Sequence, residues 1–172
     1  MGGNKMNHKQ RLIIEKKNKE RILKVCPSAT EQSGIYIMTR QEDGFKYCYV
    51  GQAKHLLTRL AQHLVGYQHI DLSLKKHKLY NTTNQTGWQI KCLHYPLDQL
   101  NTMEQRYIMI YANAGYQMRN KTSGSQGTGK KGIAQNKPAK GYYDGVTYGE
   151  KKTKRKVKEF FDKYLYYDIN LL

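Results

Sequence analysis

Apolar and polar side chains alternate along residues 33–40 and again along residues 45–51, and both segments contain β-branched and aromatic residues. A period of two residues is typical of a β-strand with one buried face. The segment 42–44, Glu-Asp-Gly, separates the two and has the composition of a tight hairpin turn. The pattern therefore predicts a β-hairpin, and a turn centred on Asp-Gly places Met38 opposite Tyr49.

Five helices are predicted elsewhere in the chain. The signals are helix-forming composition, apolar residues three or four positions apart, and capping residues. The helices are expected over residues 6–25, 54–64, 71–80, 97–114 and 151–166. Asp71 is the expected N-cap of the third helix, and Gly115 closes the fourth. Alternation from Trp88 predicts a third strand that ends at Pro96. Residues 120–141 are rich in Gly, Lys, Ser and Thr, which predicts a flexible basic linker.

Length and composition exclude several classes of protein. The chain has 172 residues, which is enough for one compact domain with extensions. Its longest apolar run, Tyr107 to Ala112, is far shorter than the ~18 residues of a membrane span, and the N-terminus lacks an apolar signal core. Cys26, Cys48 and Cys92 form no C-x-x-C pair, which argues against a disulfide framework or a thiolate zinc site. We therefore expect a soluble protein of a reducing compartment, in the cytoplasm of its own cell or of a host.

The net charge of +17 is concentrated in the two flanks of the chain. Residues 1–24 contain eight Lys or Arg and two Glu, and residues 119–158 contain twelve Lys or Arg and two acidic residues. Solubility alone requires only a few units of net charge. Neither flank shows a clear amphipathic pattern or a lipidation site, which argues against a membrane surface. A folded centre with two basic arms favours nucleic acid as the partner.

Three groups of side chains in the centre are candidates for chemistry. The predicted register puts Tyr36 and Tyr49 on one face of the hairpin, where paired tyrosines also occur for packing alone. Spacing of four puts His55, Arg59 and His63 along one side of the next helix, as either a phosphate-binding row or an ordinary solvated face.

Glu104 is the third candidate, because it interrupts an otherwise apolar row of its helix. The row runs through Leu100, Glu104, Ile108 and Tyr111. A carboxylate in an apolar face is costly unless a cation or hydrogen-bond donors compensate it. Metal ligation and a buried ion pair with Arg59 both satisfy that requirement.

The order of these residues resembles the GIY-YIG nuclease family. Gly34-Ile35-Tyr36 and Tyr49-Val50-Gly51 match the two tripeptides of the name, with Val in place of Ile in the second. Arg59 and His63 follow on one helix, Glu104 on a later one, and then an Asn, for which Asn120 is the first candidate and Gln117 the second. The match covers residues 33 to about 120.

This resemblance implies an α+β fold, a small sandwich in which helices flank a three-stranded antiparallel sheet. Basic helical extensions are expected at both ends. The implied organisation is a basic N-terminal helix in residues 1–27, a nuclease core in 28–120, and a basic Gly/Lys-rich loop and C-terminal helix in 121–172.

The resemblance also implies a role for each matching residue. Glu104 is expected to bind one Mg²⁺ or Mn²⁺ ion, Tyr36 to position or deprotonate the attacking water, and Tyr49 to support the phosphate or water network. Arg59 is expected to stabilise developing negative charge, and His63 to assist proton transfer. Gly34, Gly51 and Asn120 support the site.

The implied activity is metal-dependent hydrolysis of DNA to 5′-phosphate and 3′-hydroxyl ends, by an endonuclease of a phage or mobile element. A type II restriction enzyme, or a catalytically silent nucleic-acid-binding protein with the same fold, are the alternatives. Because one active site cuts one strand, a double-strand break requires a homodimer or two sequential nicks. The residues expected to bind DNA are Lys121, Lys130, Lys131, Lys151, Lys152, Lys154 and Arg155.

Overall fold

A computed structural model describes residues 8–120, 128–137 and 142–164. Within these ranges the chain forms six α-helices and four β-strands. The helices are α1 (His8–Val25), α2 (Leu56–His63), α3 (His69–His77), α4 (Leu100–Asn113), α5 (Thr128–Gln135) and α6 (Tyr142–Tyr164). The strands are β1 (Gly34–Glu42), β2 (Phe45–Ala53), β3 (Gln89–His94) and β4 (Gln117–Met118). A 3₁₀ turn, Leu97–Gln99, precedes α4.

The predicted hairpin is confirmed and forms the centre of the sheet. β1 and β2 pair antiparallel, and Met38 lies opposite Tyr49 as expected. Asp43 and Gly44 have φ values of 50° and 78°, which is the backbone of a type I′ turn. The turn therefore fixes the register that puts alternate hairpin residues on each face of the sheet.

The sheet has four strands in the order β3-β1-β2-β4, so the expected three-stranded antiparallel sheet is wrong in this respect. β4 pairs in parallel with β2, through Gln117 beside Tyr47 and Met118 beside Cys48. The chain reaches this edge after Gly115, whose φ of 83° ends α4 and turns the backbone. A strand of two residues is too short to show alternation, so no sequence pattern predicts it. The fold is mixed α+β with an open, mixed sheet.

Helices cover both faces of the sheet. On one face, Tyr36, Met38 and Tyr49 share a core with side chains of α1, α2 and α3. On the other face, Ile35, Ile37 and other alternate residues of the hairpin pack with α4 and with Ile133 of α5. Every element that carries a predicted central site residue therefore packs against the hairpin.

The helix α5 lies inside the segment that was expected to be a flexible linker. Gly129, Gly132 and Ile133 are buried along one side of it. A Cβ atom on Gly132 would lie 2.9 Å from the sulfur of Met109 and 3.3 Å from the Cβ atom of Ala112, so α5 rests directly on α4. Asn136 donates hydrogen bonds to the carbonyl groups of Ala112 and Tyr116, at 2.6 and 3.0 Å. For α5 the linker prediction is wrong, because Gly132 permits close helix packing instead of loop flexibility. The rest of the predicted linker, residues 121–127 and 138–141, lies outside the described residues.

Two further helix boundaries differ from expectation. The N-cap of α3 is Gln68, and Asp71 is the third residue of the helix, in a capping box with Gln68. The last helix, α6, begins at Tyr142, nine residues before the expected start at Lys151. Its basic residues therefore lie along the middle of the helix and do not oppose the dipole at its N-terminus.

The chain divides into two compact units, residues 1–137 and 138–172. The first contains the sheet and the helices α1 to α5, and thus extends beyond the expected core of 28–120 at both ends. The second contains α6.

Candidate active site

Tyr36 lies at the centre of the first candidate cluster. Its side chain is buried beneath α2, with 1% of its surface exposed. The phenol oxygen lies 2.7 Å from Nε2 of His63. The rings of Tyr36 and Tyr49 are 6.2 Å apart on the same face of the hairpin, as predicted. The ring of His63 lies 5.3 Å from Tyr36 and 6.0 Å from Tyr49, so the three rings form one cluster.

His63 is held from its other side by Asp71. Nδ1 of His63 lies 2.5 Å from Oδ1 of Asp71, and both side chains are almost fully buried. Burial lowers the pKa of His63 and outweighs the opposite effect of Asp71, so the neutral ring is favoured. In the arrangement that satisfies every group, Nδ1–H donates to Asp71 and Nε2 accepts the hydrogen bond of Tyr36. Tyr36, His63 and Asp71 thus form a continuous hydrogen-bonded chain.

The α3 turn fixes the carboxylate of Asp71. The backbone N–H of Gln68 donates to Oδ2 of Asp71 at 2.7 Å. A Cβ atom on Gly66 would lie 2.1 Å from the same oxygen, so only glycine leaves room for it. No pattern in the sequence predicts this contact with His63. The only signal was the spacing of Gln68 and Asp71, which is that of a capping box and carries no indication of a partner.

Tyr36 keeps its proton at neutral pH. Burial raises its pKa well above the usual value of 10.0, and the neighbouring Tyr49 raises it further. The guanidinium of Arg59 acts in the opposite direction but does not outweigh burial. The resting phenol is therefore a hydrogen-bond donor and not a phenolate.

Arg59 and His55 differ from His63 although all three belong to the same helical row. Arg59 is half-buried and lies 3.4 Å from Oε1 of Gln68. His55 is exposed, and its Nδ1 lies 3.2 Å from the carbonyl oxygen of Glu31. Only His63 is buried, so an ordinary solvated face does not describe this row. The positive charge of Arg59 acts on the phenol of Tyr36, whereas His55 lies outside the phenol cluster.

The two glycines of the tripeptides make close backbone contacts possible. Gly51 pairs with Tyr36 across the hairpin. Any Cβ atom on Gly51 would lie 2.3 Å from the phenol Cζ and hydroxyl oxygen, which is an impossible separation. A Cβ atom on Gly34 would lie 2.2 Å from the carbonyl oxygen of Leu93. The phenol of Tyr36 therefore packs directly against the backbone of Gly51. The absence of a side chain on Gly34 likewise lets β1 approach β3.

Glu104 is buried on α4, as the apolar row around it predicts, with 2% of its surface exposed. Its Oε2 accepts a hydrogen bond of 3.2 Å from Gln52, while Oε1 is buried without a hydrogen-bond partner. Burial raises the pKa of this carboxyl to about 7. Among the ion pairs of the described residues none involves Glu104, so the expected alternative of an ion pair with Arg59 is not seen.

A divalent cation fits this carboxylate. An ionised oxygen that is buried and unpaired is costly, and a bound cation would remove that cost. No group of three His, Cys, Asp or Glu suited to a metal is present in ranges 8–120, 128–137 and 142–164. Mg²⁺ suits such a site because it keeps several waters and uses one or two carboxylates together with substrate phosphate.

Two consecutive residues of β2 connect Glu104 to the phenol cluster. Gly51 lies against the phenol of Tyr36, and Gln52 binds Glu104. Gln52 also donates a hydrogen bond of 2.7 Å to Asn101, which precedes Glu104 by one turn of α4. Successive residues of a strand point to opposite faces, so the phenol cluster and Glu104 lie on opposite faces of the sheet at the end of β2. Nothing in the sequence pattern singles out Gln52.

Asn120 is buried and forms hydrogen bonds with the backbone of the second tripeptide. Its side chain accepts the N–H of Val50 at 3.1 Å and donates to the carbonyl oxygen of Val50 at 2.6 Å. These two bonds reproduce the pairing of a neighbouring strand beside β2. Gln117, the alternative for this place, lies in β4 and pairs beside Tyr47.

The basic residues that were expected to bind DNA are exposed wherever the structure describes them. Lys130 and Lys131 lie on the outer side of α5. The basic residues of α6 project from a helix whose other side carries exposed Val157, Phe160 and Tyr164. They are Lys151, Lys152, Lys154 and Arg155. Lys121 lies outside the described residues.

Comparisons with protein-family models, with curated proteins and with solved structures found no match to the chain. None of the described helices has the length and apolar character needed to cross a lipid bilayer.

Proposed function

We propose that this protein is a metal-dependent DNA endonuclease of the GIY-YIG type. The observation that carries the proposal is the buried chain from Tyr36 through His63 to Asp71. A phenol, an imidazole and a carboxylate in hydrogen-bonded order can accept a proton at one end and stabilise the resulting charge at the other. Packing alone does not require this polar chain inside an apolar core.

The proton path follows from the protonation states. Because the pKa of Tyr36 is raised, its oxygen accepts a proton from an attacking water only as it gives its own proton to Nε2 of His63. The imidazolium that forms is then stabilised by Asp71. Tyr49 holds the phenol ring in position, and Arg59 stabilises negative charge on the phosphate.

Glu104 would hold the divalent ion, with Gln52 fixing the orientation of its carboxylate. When bound, the ion supplies charge stabilisation to the phosphate and to the leaving oxygen. The unpaired Oε1 of Glu104 supports this assignment. Hydrolysis by this arrangement leaves 5′-phosphate and 3′-hydroxyl ends.

DNA is the proposed substrate because of the exposed basic residues on α5 and α6 and the net charge of +17. We further propose that the protein is cytoplasmic and is encoded by a phage or mobile element. It would cut the two strands in sequential nicks, or both together as a homodimer. The basic helices equally suit a catalytically silent nucleic-acid-binding protein, which is the second candidate.

Cleavage of supercoiled plasmid with Mg²⁺ distinguishes the two candidates. The pure protein should nick the plasmid with Mg²⁺ or Mn²⁺ and lose this activity in EDTA. Glu104→Gln should be inactive, and His55→Gln should be fully active because His55 lies outside the phenol cluster. Strong DNA binding without cleavage in either metal would leave the silent binding protein as the function.

A further inference from the structure

Two of the three cysteines form a close pair that the proposed mechanism does not use. Cys26 follows the last residue of α1, and Cys92 lies in β3, 66 positions later. Their sulfur atoms are 3.6 Å apart, and both residues are buried. Both are reduced thiols. The pair therefore bridges the N-terminal helix and the sheet without a covalent bond.

The pair adjoins the candidate active site. Cys92 lies directly opposite Tyr36 in the pairing of β1 with β3. Cys26, Cys92 and Tyr36 belong to the same core on one face of the sheet. Cys48, the third cysteine, belongs to the core on the opposite face. A link between Cys26 and Cys92 would thus lie beside the phenol, and the sheet separates Cys48 from both.

The two sulfur atoms differ in their chemistry. The contact with Cys92, assisted by the Ser28 hydroxyl 3.5 Å away, lowers the pKa of Cys26 to about 6. The same contact, together with burial, raises the pKa of Cys92. Burial alone raises the pKa of Cys48. Cys26 is therefore the sulfur of the pair that ionises more readily, and burial disfavours ionisation of Cys48.

We propose that Cys26 and Cys92 are a redox-responsive pair that a hydroperoxide converts into a disulfide joining the end of α1 to β3. The Cys26 thiolate attacks one peroxide oxygen, the O–O bond breaks, and Cys26 becomes a sulfenic acid as one water or alcohol leaves. The sulfur of Cys92 then attacks the sulfenic sulfur and forms the S–S bond, and a water leaves. In total two thiols lose two electrons and two protons to the peroxide, and a thiol reductant reverses the reaction.

The bond would attach α1 covalently to the sheet. In the chain-entropy description, a cross-link that closes a long loop restricts the unfolded chain and stabilises the folded one. For a protein of this size we expect the oxidised form to melt higher by on the order of 5–10 °C. This inference is independent of the proposed nuclease activity, because its test measures thiols and not cleavage.

The experiment treats the folded full-length protein with hydrogen peroxide and then alkylates the remaining thiols. Trypsin separates the three cysteines into the peptides 25–40, 47–54 and 92–106, so the linkage is read directly by mass. Oxidation should remove two hydrogen atoms, about 2 Da, from the wild-type protein. Alkylation should then modify Cys48 alone, and the digest should contain peptide 25–40 joined to 92–106. Dithiothreitol should restore all three thiols. Cys48→Ala is the matched control and should form the same link.

Cys26→Ser and Cys92→Ser should form no intramolecular link. The wild-type measurement needs neither variant, so a folding defect in either leaves the test intact. Three free thiols after treatment, a link that includes Cys48, or Cys26 oxidised to sulfinic acid without a link would each overturn the proposal. An oxidised form that melts no higher than the reduced form would overturn its role as a connection between α1 and the sheet.

Discussion

The hydroxyl group of Tyr36 occupies the space in which a side chain on Gly51 would lie. A Cβ atom at position 51 would be 2.3 Å from the phenol oxygen. The second tripeptide therefore needs its glycine to make room for the tyrosine of the first. The two motifs form a single structural unit, although 15 positions of sequence separate these residues.

Gly51→Ala should consequently displace the phenol and impair the proton path. We expect a loss of about 1–3 kcal/mol in the free energy of unfolding, as is usual for overpacking, together with loss of most cleavage activity. Chemical denaturation and plasmid nicking measure the two effects. Gly149→Ala is the control, because a Cβ atom placed there meets no atom within 4 Å apart from its chain neighbours and the backbone of its own helix. Wild-type activity in Gly51→Ala would show that the position of the phenol does not matter.

Glu104→Gln should abolish cleavage, leave DNA binding intact and not destabilise the metal-free protein. The folded pKa of Glu104 is raised to about 7 from an ordinary 4.5, so the folded state binds this proton more tightly than the unfolded chain. The stabilising contribution is therefore complete below pH 4.5 and is lost as pH rises to about 7.

Denaturation in EDTA from pH 4 to 8 tests this sign. The wild-type protein should lose stability relative to Glu104→Gln as pH rises, by on the order of 3 kcal/mol in total. Asp98→Asn, at an exposed position before α4, should follow the wild-type curve. Parallel curves for wild type and Glu104→Gln would mean that the carboxylate is compensated without metal.

Tyr36→Phe removes one hydroxyl and keeps the ring. Loss of the hydrogen bond to His63 should cost about 0.5–1.5 kcal/mol of stability, while cleavage should fall by about 10²–10⁴-fold. Tyr67→Phe is the control, because Tyr67 is 85% exposed. If cleavage by the folded fraction of Tyr36→Phe were normal, Tyr36 would be a core residue only.

Asp71→Asn tests the carboxylate end of the hydrogen-bonded chain from Tyr36 through His63 to Asp71. Asparagine can donate to Nδ1 of His63, which favours the tautomer with a proton on Nε2 and removes the acceptor for Tyr36. Cleavage should fall at least tenfold, at unchanged DNA affinity, because a general base in the wrong tautomer cannot take the proton. NMR of the His63 ring nitrogens identifies the tautomer. An unchanged tautomer with unchanged activity would assign Asp71 to the α3 capping box alone.

Replacement of Lys151, Lys152, Lys154 and Arg155 with Gln should weaken binding to all DNA sequences alike. Each phosphate contact that is lost should make the slope of log affinity against log salt shallower by about 0.9. The matched variant replaces four exposed lysines of α1 with Gln: Lys9, Lys16, Lys17 and Lys24. A larger change in slope for the α1 variant would place the DNA path along the N-terminal helix.

The structure also shows which features of this chain the sequence reveals and which it does not. The hairpin and the burial of Glu104 are predictable because a period of two, an Asp-Gly turn and an interrupted apolar row are local patterns. The contact of Asp71 with His63 depends on how α2 packs against α3, and no local pattern records it. In α5 the glycines were misleading, because Gly in a lysine-rich segment is typical of a linker, whereas here Gly132 permits contact with α4.

The position of α5 has a geometric consequence for a nuclease. Its inner side rests on α4, the helix that carries Glu104, and Asn136 ties it to the end of that helix. Lys130 and Lys131 project from its outer side. These two lysines therefore lie on a helix that packs directly against the helix of Glu104, so phosphates bound to them would lie at a set distance from Glu104 in the proposed nuclease. In that arrangement α5 would set the spacing between bound phosphates and the cleaved bond of the proposed substrate.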